Sequence, residues 1–183
     1  MNTNHRNFRT ALFLFALVFA LFTSCNRPSP DQFFQTTILN TNILHGFGSE
    51  RYTKSLLAET VEFADMPDSK KKGNEAQQVV ELKIAYIEQT IKKIEDNEAP
   101  DEDGEAIKQK SLELFNYVLP VYKKDYLELA TMCDKRQSEN EINEKSDQII
   151  QTYGPTFEEK YVNLIGLGEQ YASKHHINAS FGN

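Results

Sequence analysis

The stripe of aliphatic residues between positions 80 and 94 constrains the fold more than any other feature of this chain. Its members recur in alternating steps of four and three residues: Val80, Ile84, Ile87, Ile91 and Ile94. This spacing keeps one face of an α-helix against its neighbours in a helical bundle. The sequence shows no strand-like alternation of apolar and polar residues. We therefore predict a helix from about Glu75 to Asn97.

The segment before this helix carries its own start signal. Ser29 is suited to the N-cap, Pro30 to the first helical position, and Gln32 can close a capping box with Ser29. We predict a helix from there to about Asp65, because Pro67 disfavours helical backbone at the residue before it, Met66. In its middle lies His45-Gly-Phe-Gly48, and two glycines inside a helix cost about 1 kcal/mol each relative to alanine. The sequence therefore marks either a kink or a complete break.

Two more helical segments follow the aliphatic stripe. One is predicted from about Glu105 to Arg136 and contains Pro120. The other begins after the capping box Ser138-Glu-Asn-Glu141 and runs to about His175, interrupted at Gly154-Pro155. Short connections between helices favour antiparallel neighbours. The expected fold is all-α: an up-down-up-down four-helix bundle over residues 31–175, kinked at mid-height, with residues 176–183 as a frayed tail and the His175-His176 pair solvated.

The three helix interruptions fall at one predicted height. Pro120 lies 18 residues before Ser138, and Pro155 lies 17 residues after it. Gly46 and Gly48 lie 20 and 18 residues before Met66, where the first turn is predicted. Four polar side chains are near this level: His45, Tyr117, Tyr122 and Tyr153. Two interpretations remain open. The level holds a polar pocket or hinge, or these side chains only satisfy backbone groups that the breaks leave unpaired.

The first 25 residues have the composition of an export signal. Arg6 and Arg9 precede an apolar run over positions 11–22. A helix of about a dozen residues spans about 18 Å of a hydrocarbon core about 30 Å thick. The run is therefore short for a membrane span and suits the apolar core of a signal peptide. We predict a signal helix in residues 1–24.

The stretch Leu21-Phe-Thr-Ser-Cys25 resembles the bacterial lipobox. Thr23, Ser24 and Cys25 fit that pattern, while Phe22 stands where leucine is usual. The resemblance implies cleavage before Cys25 and lipid attachment to its thiol, so that residues 25–30 are the lipidated cysteine and a short linker. An ordinary secretory signal and an uncleaved anchor are the alternatives. In lipoproteins of this kind, an aspartate directly after the cysteine resembles a signal for retention in the inner membrane. This chain has Asn26 there, so we expect the protein at the outer membrane, on its periplasmic or surface side.

The charge balance argues against nucleic acid as a partner. The full chain has a net charge of −7. Without residues 1–24 it holds 18 basic and 27 acidic side chains, a net charge of −9. Such a surface repels phosphate backbones. Anchoring to a membrane must then come from the lipid on Cys25. Cys133 is the other cysteine, and its position at the end of an apolar stripe predicts a buried, inert thiol.

The sequence contains no recognisable catalytic or metal-binding motif. Paired Glu-x-x-His motifs, as in di-iron bundles, are absent, and the acidic run Asp101-Glu-Asp-Gly104 lacks the spacing of a calcium loop. Acidic residues there suit the start of a helix, where the dipole favours negative charge. We expect no enzymatic activity, no cofactor and no metal.

Two functions are compatible with these features. The first is a structural or protein-interaction module of the cell envelope with an envelope protein as partner. It requires an exposed apolar or aromatic patch, for which Phe33, Phe47 and Tyr86 are the candidates. The alternative is a small-molecule binding lipoprotein with a mid-bundle pocket. Its predicted lining is His45, Tyr117, Tyr122 and Tyr153.

Overall fold

A computed structural model describes residues 28–180, and every regular element in that range is helical. The α-helices are α1 (Pro30–Thr37), α2 (Glu50–Glu59), α3 (Glu75–Asp96), α4 (Glu102–Val121), α5 (Leu127–Asp134) and α6 (Glu139–Lys174). Short 3₁₀ helices cover Leu39–Leu44 and Pro67–Ser69, and a π-helical turn covers Tyr122–Tyr126. The prediction of an all-α chain is confirmed. The predicted signal helix and Cys25 lie outside the described residues.

Both predicted capping boxes are present. The N–H of Gln32 donates to Ser29 Oγ, and the N–H of Ser29 donates to Gln32 Oε1, each over 3.2 Å. The same exchange links Ser138 and Glu141 at the start of α6. Each box satisfies backbone N–H groups that a helix start leaves without intrahelical partners. These local signals fix where α1 and α6 begin.

Helix α3 matches the aliphatic stripe. It spans Glu75–Asp96, one residue short of the predicted end. Val80, Ile87 and Ile94 are fully buried, whereas Ile84 and Ile91 are half-buried. Val80, Ile87 and Ile94 are two helical turns apart and therefore mark the centre of the buried face, whereas Ile84 and Ile91 lie at its edge.

The first predicted helix is three separate pieces. The chain breaks completely at Gly46 and Gly48, whose φ angles of +88° and +63° are in the left-handed region that a helix cannot use. Helix α2 also ends at Glu59 and not at Asp65. Residues 61–66, which follow, are all exposed. Phe63, in this segment, is 59% exposed.

The two helix prolines behave differently from the expected interruptions. Pro120 has no backbone N–H to donate, and the chain after it forms a π-helical turn before continuing as α5. Helix α6 passes through Pro155 without a break, so the predicted interruption there is wrong. A proline normally clashes with the Cβ of the residue before it. Gly154 has no Cβ, which removes that part of the clash.

The start of α4 and the tail after α6 also differ from prediction. Asp101 caps α4 by accepting from the N–H of Gly104 over 2.8 Å, so α4 begins at Glu102 and not at Glu105. The C-terminal tail is not frayed up to residue 180: Ile177 and Ala179 pack against the core. Of the histidine pair, His176 is exposed as predicted, whereas His175 is half-buried with its ring centroid 4.2 Å from that of Tyr171. Residues 181–183 lie outside the described range.

Long-range contacts set the direction of the first segment and of α3. Ser111 Oγ donates to Thr37 O, and the N–H of Gly48 donates to Tyr126 Oη. The segment from α1 to α2 therefore runs parallel to α4 and α5. The start of α3 meets the end of α5, where the N–H of Ala76 donates to Asp134. Helix α3 is therefore antiparallel to both.

Helix α6 returns antiparallel to α4 and α5. Near its start Lys145 pairs with Glu128, and near its end Lys174 pairs with Asp101. One end of the molecule, the proximal end, therefore holds residues 28–33, 97–104 and 174–180. The distal end holds residues 60–74 and 134–138. Among the helices within residues 28–180, none combines the length and apolar character needed to cross a bilayer.

Candidate binding cleft

The break in the first segment forms a glycine loop, residues 45–49, that packs directly on α6. A Cβ placed on Gly48 would lie 3.0 Å from Gly154 Cα. This separation is closer than real Cβ atoms normally tolerate, so the two backbones touch where neither residue has a side chain. Gly48 and Gly154 therefore lie at the same height, as the sequence predicted, but α6 is not interrupted at that height.

Side chains from other helices satisfy backbone groups at this level. Tyr126 Oη accepts from the N–H of Gly48 over 2.8 Å. Lys83 Nζ donates to Ile43 O over 2.6 Å, and burial lowers the pKa of this lysine. Tyr117 donates to the carbonyl of Tyr153 over 3.1 Å. This arrangement agrees with the interpretation that polar side chains here compensate interrupted backbone.

An aromatic cluster lies behind the glycine loop. Its members are Phe47, Tyr52, Tyr122, Tyr126 and Phe157, with ring centroids 4.6–5.6 Å apart in the pairs that touch. Burial raises the pKa of Tyr126 to about 12 and also raises the pKa of Tyr52 and Tyr122. Within residues 28–180, the hydroxyls of Tyr52 and Tyr122 have no hydrogen-bond partner. The three phenols of one cluster are therefore not equivalent.

Removing single hydroxyls from this cluster should have opposite effects. Tyr126→Phe leaves the N–H of Gly48 unpaired, and we expect a loss of about 1–3 kcal/mol in the free energy of unfolding. Tyr122→Phe removes a buried hydroxyl without a partner, and we expect no loss or a gain of up to about 1 kcal/mol. Urea unfolding of both variants measures the difference. A Tyr122→Phe loss as large as that of Tyr126→Phe would contradict the assignment.

A cleft with a volume of about 440 Å³ opens where the glycine loop meets α6. It is lined by Thr41, Asn42, Leu44, His45, Gly46, Phe47, Ser49, Arg51, Phe157, Glu158 and Tyr161. The rings of Phe157 and Tyr161 are stacked, with centroids 5.7 Å apart and planes 25° apart. Leu44 and Phe47 add buried apolar surface. The lining therefore combines an aromatic wall with polar side chains from the loop.

The polar side of the cleft centres on Arg51. Its Nη1 group lies 2.8 Å from His45 Nε2. Because arginine only donates, Nε2 must be the accepting nitrogen and the ring proton belongs on Nδ1. Among residues 28–180, Arg51 forms no ion pair with a carboxylate. Glu158 lines the same cleft and is exposed. The cleft therefore has one cationic and one anionic side chain at an open mouth.

The four residues of the predicted pocket do not line one cavity. His45 lines the cleft, but Tyr117, Tyr122 and Tyr153 are not among its lining residues. Tyr122 is in the aromatic cluster, and Tyr153 donates to the buried carboxylate of Asp125 over 3.1 Å. Sequence reasoning missed Tyr126 and Arg51. For Tyr126, the available signal was its position four residues after Tyr122.

The predicted interaction patch is also only partly present. Phe33 and Phe47 are buried in the core, so these two candidates are wrong. Tyr86 is 58% exposed, and Leu82, one helical turn earlier, is 60% exposed. Cys133 is buried as predicted, and burial raises the pKa of its thiol to about 11. In residues 28–180, no group of three or more His, Cys, Asp or Glu side chains could hold a metal ion.

Comparisons with protein-family models, with curated proteins and with solved structures give no match for this chain.

Proposed function

We propose that this chain is a lipid-anchored lipoprotein of the bacterial cell envelope whose domain is an up-down-up-down four-helix bundle acting as a protein-interaction module. The observation that carries the proposal is an exposed apolar loop at the distal end. Val61, Phe63 and Met66 lie within six residues and are 44%, 59% and 60% exposed. Large side chains this exposed and this close in sequence suit contact with a partner.

The loop is held in place by polar contacts. The N–H of Phe63 donates to Ser69 Oγ over 2.8 Å, and Glu62 accepts from the N–H of Lys71 over 3.1 Å. Glu62 also pairs with Arg136 over 2.8 Å. A loop that is already ordered loses less conformational freedom when a partner binds. The contacts therefore favour docking through the exposed apolar side chains.

The anchor and the loop are at opposite ends in this proposal. Residue 28 is at the proximal end, and the five residues 26–30 reach at most about 17 Å. Helix α6 has 36 residues, which corresponds to a length of about 54 Å. A lipid on Cys25 would hold the proximal end close to the outer membrane. The distal loop would then face a partner roughly 50 Å away. The proposal includes no catalysis, cofactor, metal or nucleic acid.

The anchor is tested by replacing Cys25 with serine in the full chain. Loss of the thiol should abolish labelling by a radioactive fatty acid and release the protein from sedimented membranes, because no other acylation site is proposed. Cys133→Ser is the matched control and should remain labelled and membrane-bound. A Cys25→Ser variant that still sediments with membranes would overturn the lipid anchor.

The interaction role is tested by placing a photo-crosslinking amino acid at position 63 of the full chain in bacterial cells. We expect a discrete cross-linked protein that disappears in the Cys25→Ser background, because the loop then loses its place in the envelope. The same amino acid at position 82, on the exposed face of α3, is the matched control. Equal cross-linking from both positions, or none from position 63, contradicts a docking role for the loop.

A further inference from the structure

We infer that the cleft between the glycine loop and α6 binds a small aromatic carboxylate. This inference goes beyond the interaction role and depends on neither the lipid anchor nor the distal loop. The structure places a cationic group, a second donor and an aromatic wall around a single opening. These are the groups that recognise a carboxylate attached to a flat apolar body.

The size of the cleft suits a small ligand. A volume of about 440 Å³ lies within the range of about 300–1,000 Å³ that is usual for small-molecule sites. The glycine loop contributes four of the eleven lining residues, and the 3₁₀ helix, α2 and α6 contribute the other seven. A ligand there would therefore contact residues that are far apart in the sequence, chiefly the loop and α6.

Arg51 provides the charge for a carboxylate. Its guanidinium group carries five N–H donors, and the bond to His45 Nε2 uses one of them. The remaining donors can form the paired hydrogen bonds that arginine makes with carboxylates. The ring proton of His45 lies on Nδ1 in this arrangement, so the same side chain can donate to the ligand as well.

The apolar side of the cleft suits an aromatic ring. Phe157 and Tyr161 are stacked, one helical turn apart on α6, and Phe47 lies 4.6 Å from Phe157 by ring centroids. Aromatic pairs in tilted or offset contact add about 0.5–1.5 kcal/mol beyond the burial of their area. A fourth ring, from the ligand, would extend this row of aromatic contacts.

The cleft is formed before any ligand arrives. Ser49 Oγ donates to Gly46 O over 2.8 Å, and the N–H of Gly48 donates to Tyr126 Oη. These bonds fix the loop that carries His45. The same loop leads into the start of α2, where Arg51 lies. A preformed site avoids the cost of ordering a loop upon binding.

Binding is tested on the full chain in detergent with 3-phenylpropanoate as probe, measured by calorimetry. We expect saturable binding that weakens about tenfold or more in Arg51→Gln, because a hydrogen-bonded charge pair is lost. Lys54→Gln is the matched control. Lys54 is an exposed cation of α2 that pairs with Glu50 over 2.9 Å and does not line the cleft. It should bind as the wild type does.

Related probes separate the parts of the ligand. Acetate lacks the ring and 3-phenylpropanol lacks the charge, so each should bind at least tenfold more weakly than 3-phenylpropanoate. Phenylalanine adds an ammonium group that the Glu158 carboxylate can pair with, so Glu158→Gln should weaken the binding of phenylalanine and should not weaken that of 3-phenylpropanoate. A loss of 3-phenylpropanoate affinity in Glu158→Gln would contradict the placement of the ligand carboxylate at Arg51.

Three results would overturn the inference: no saturable binding of 3-phenylpropanoate to the wild type, equal affinity in Arg51→Gln, or an equal loss in Lys54→Gln. Arg51 is exposed, so the melting temperature of Arg51→Gln should match that of the wild type. Phe63→Ser, at the distal loop, should leave the affinity unchanged. A failure of the interaction role therefore does not affect this test.

Discussion

Replacing Gly48 with alanine should lower the free energy of unfolding by about 2–4 kcal/mol. Two physical effects combine. The φ angle of +63° is strained for any residue with a Cβ, at a cost of about 1–2 kcal/mol. The new Cβ would also lie 3.0 Å from Gly154 Cα, which is backbone and cannot rotate away. The loop or α6 must then shift, and the aromatic cluster behind the loop shifts with it.

Gly73→Ala separates these two effects. Gly73 has a φ angle of +87°, but nothing lies within 4 Å of a Cβ placed on it. It should therefore show the backbone strain alone, about 1–2 kcal/mol. Urea unfolding of both variants gives the comparison. If Gly48→Ala costs no more than Gly73→Ala, then the loop and α6 are not packed backbone to backbone.

Local sequence signals predicted the starts of α1 and α6 well. Ser29 with Gln32 and Ser138 with Glu141 each encode a cap within four residues, and both caps form as expected. The aliphatic stripe of α3 likewise depends on one helix and its spacing. These features could be predicted because the residues that cause them are adjacent in sequence or on one helical face.

Features that depend on contacts between distant residues were predicted less well. Pro155 reads as a helix interruption, but the absence of a Cβ at Gly154 and the packing against Gly48 keep α6 continuous. The predicted heights and faces of the residues after Pro120 were based on the spacing of a regular α-helix. The π-helical turn changes that spacing, and Tyr122 and Tyr126 stack with ring centroids 4.8 Å apart. A pattern of period 3.6 cannot anticipate this change.

The candidate site shows the same division. The glycines at positions 46 and 48 correctly marked a break, and His45 lines the cleft that results. Arg51 was not predicted, because its role depends on the turn that brings α2 back toward His45. Tyr117, Tyr122 and Tyr153 lie near the predicted height but do not line the cleft. A residue's height along a helix does not specify which face its side chain occupies.

Replacing Asp134 with alanine is the second substitution with a large expected effect, a loss of about 2–4 kcal/mol in the free energy of unfolding. Asp134 is 9% exposed and belongs to the end of α5. Its two carboxylate oxygens accept from the N–H groups of Ala76 and Gln77 at the start of α3, each over 3.0 Å. The N-cap residue of α3, Asn74, makes no side-chain capping bond. A neighbouring helix therefore supplies the cap.

The loss should be large because two N–H groups, one of them buried, would lose their acceptors together. The carboxylate also interacts favourably with the positive end of the α3 dipole, which contributes about 0.3–1 kcal/mol in exposed settings and more when partly buried. Helix α3 contacts α4, α5 and the first segment. Weakening its start therefore affects the packing of the distal end and not one helix turn alone.

Two matched variants define this effect. Asp134→Asn retains one acceptor oxygen and should lose less than Asp134→Ala. Ser138→Ala removes an exposed cap formed within its own helix, and we expect about 1 kcal/mol. Thermal and urea unfolding should rank the losses with Asp134→Ala as the largest. A loss for Asp134→Ala no greater than for Ser138→Ala would mean that α3 finds other acceptors. The contact between α5 and α3 would then not anchor the distal end.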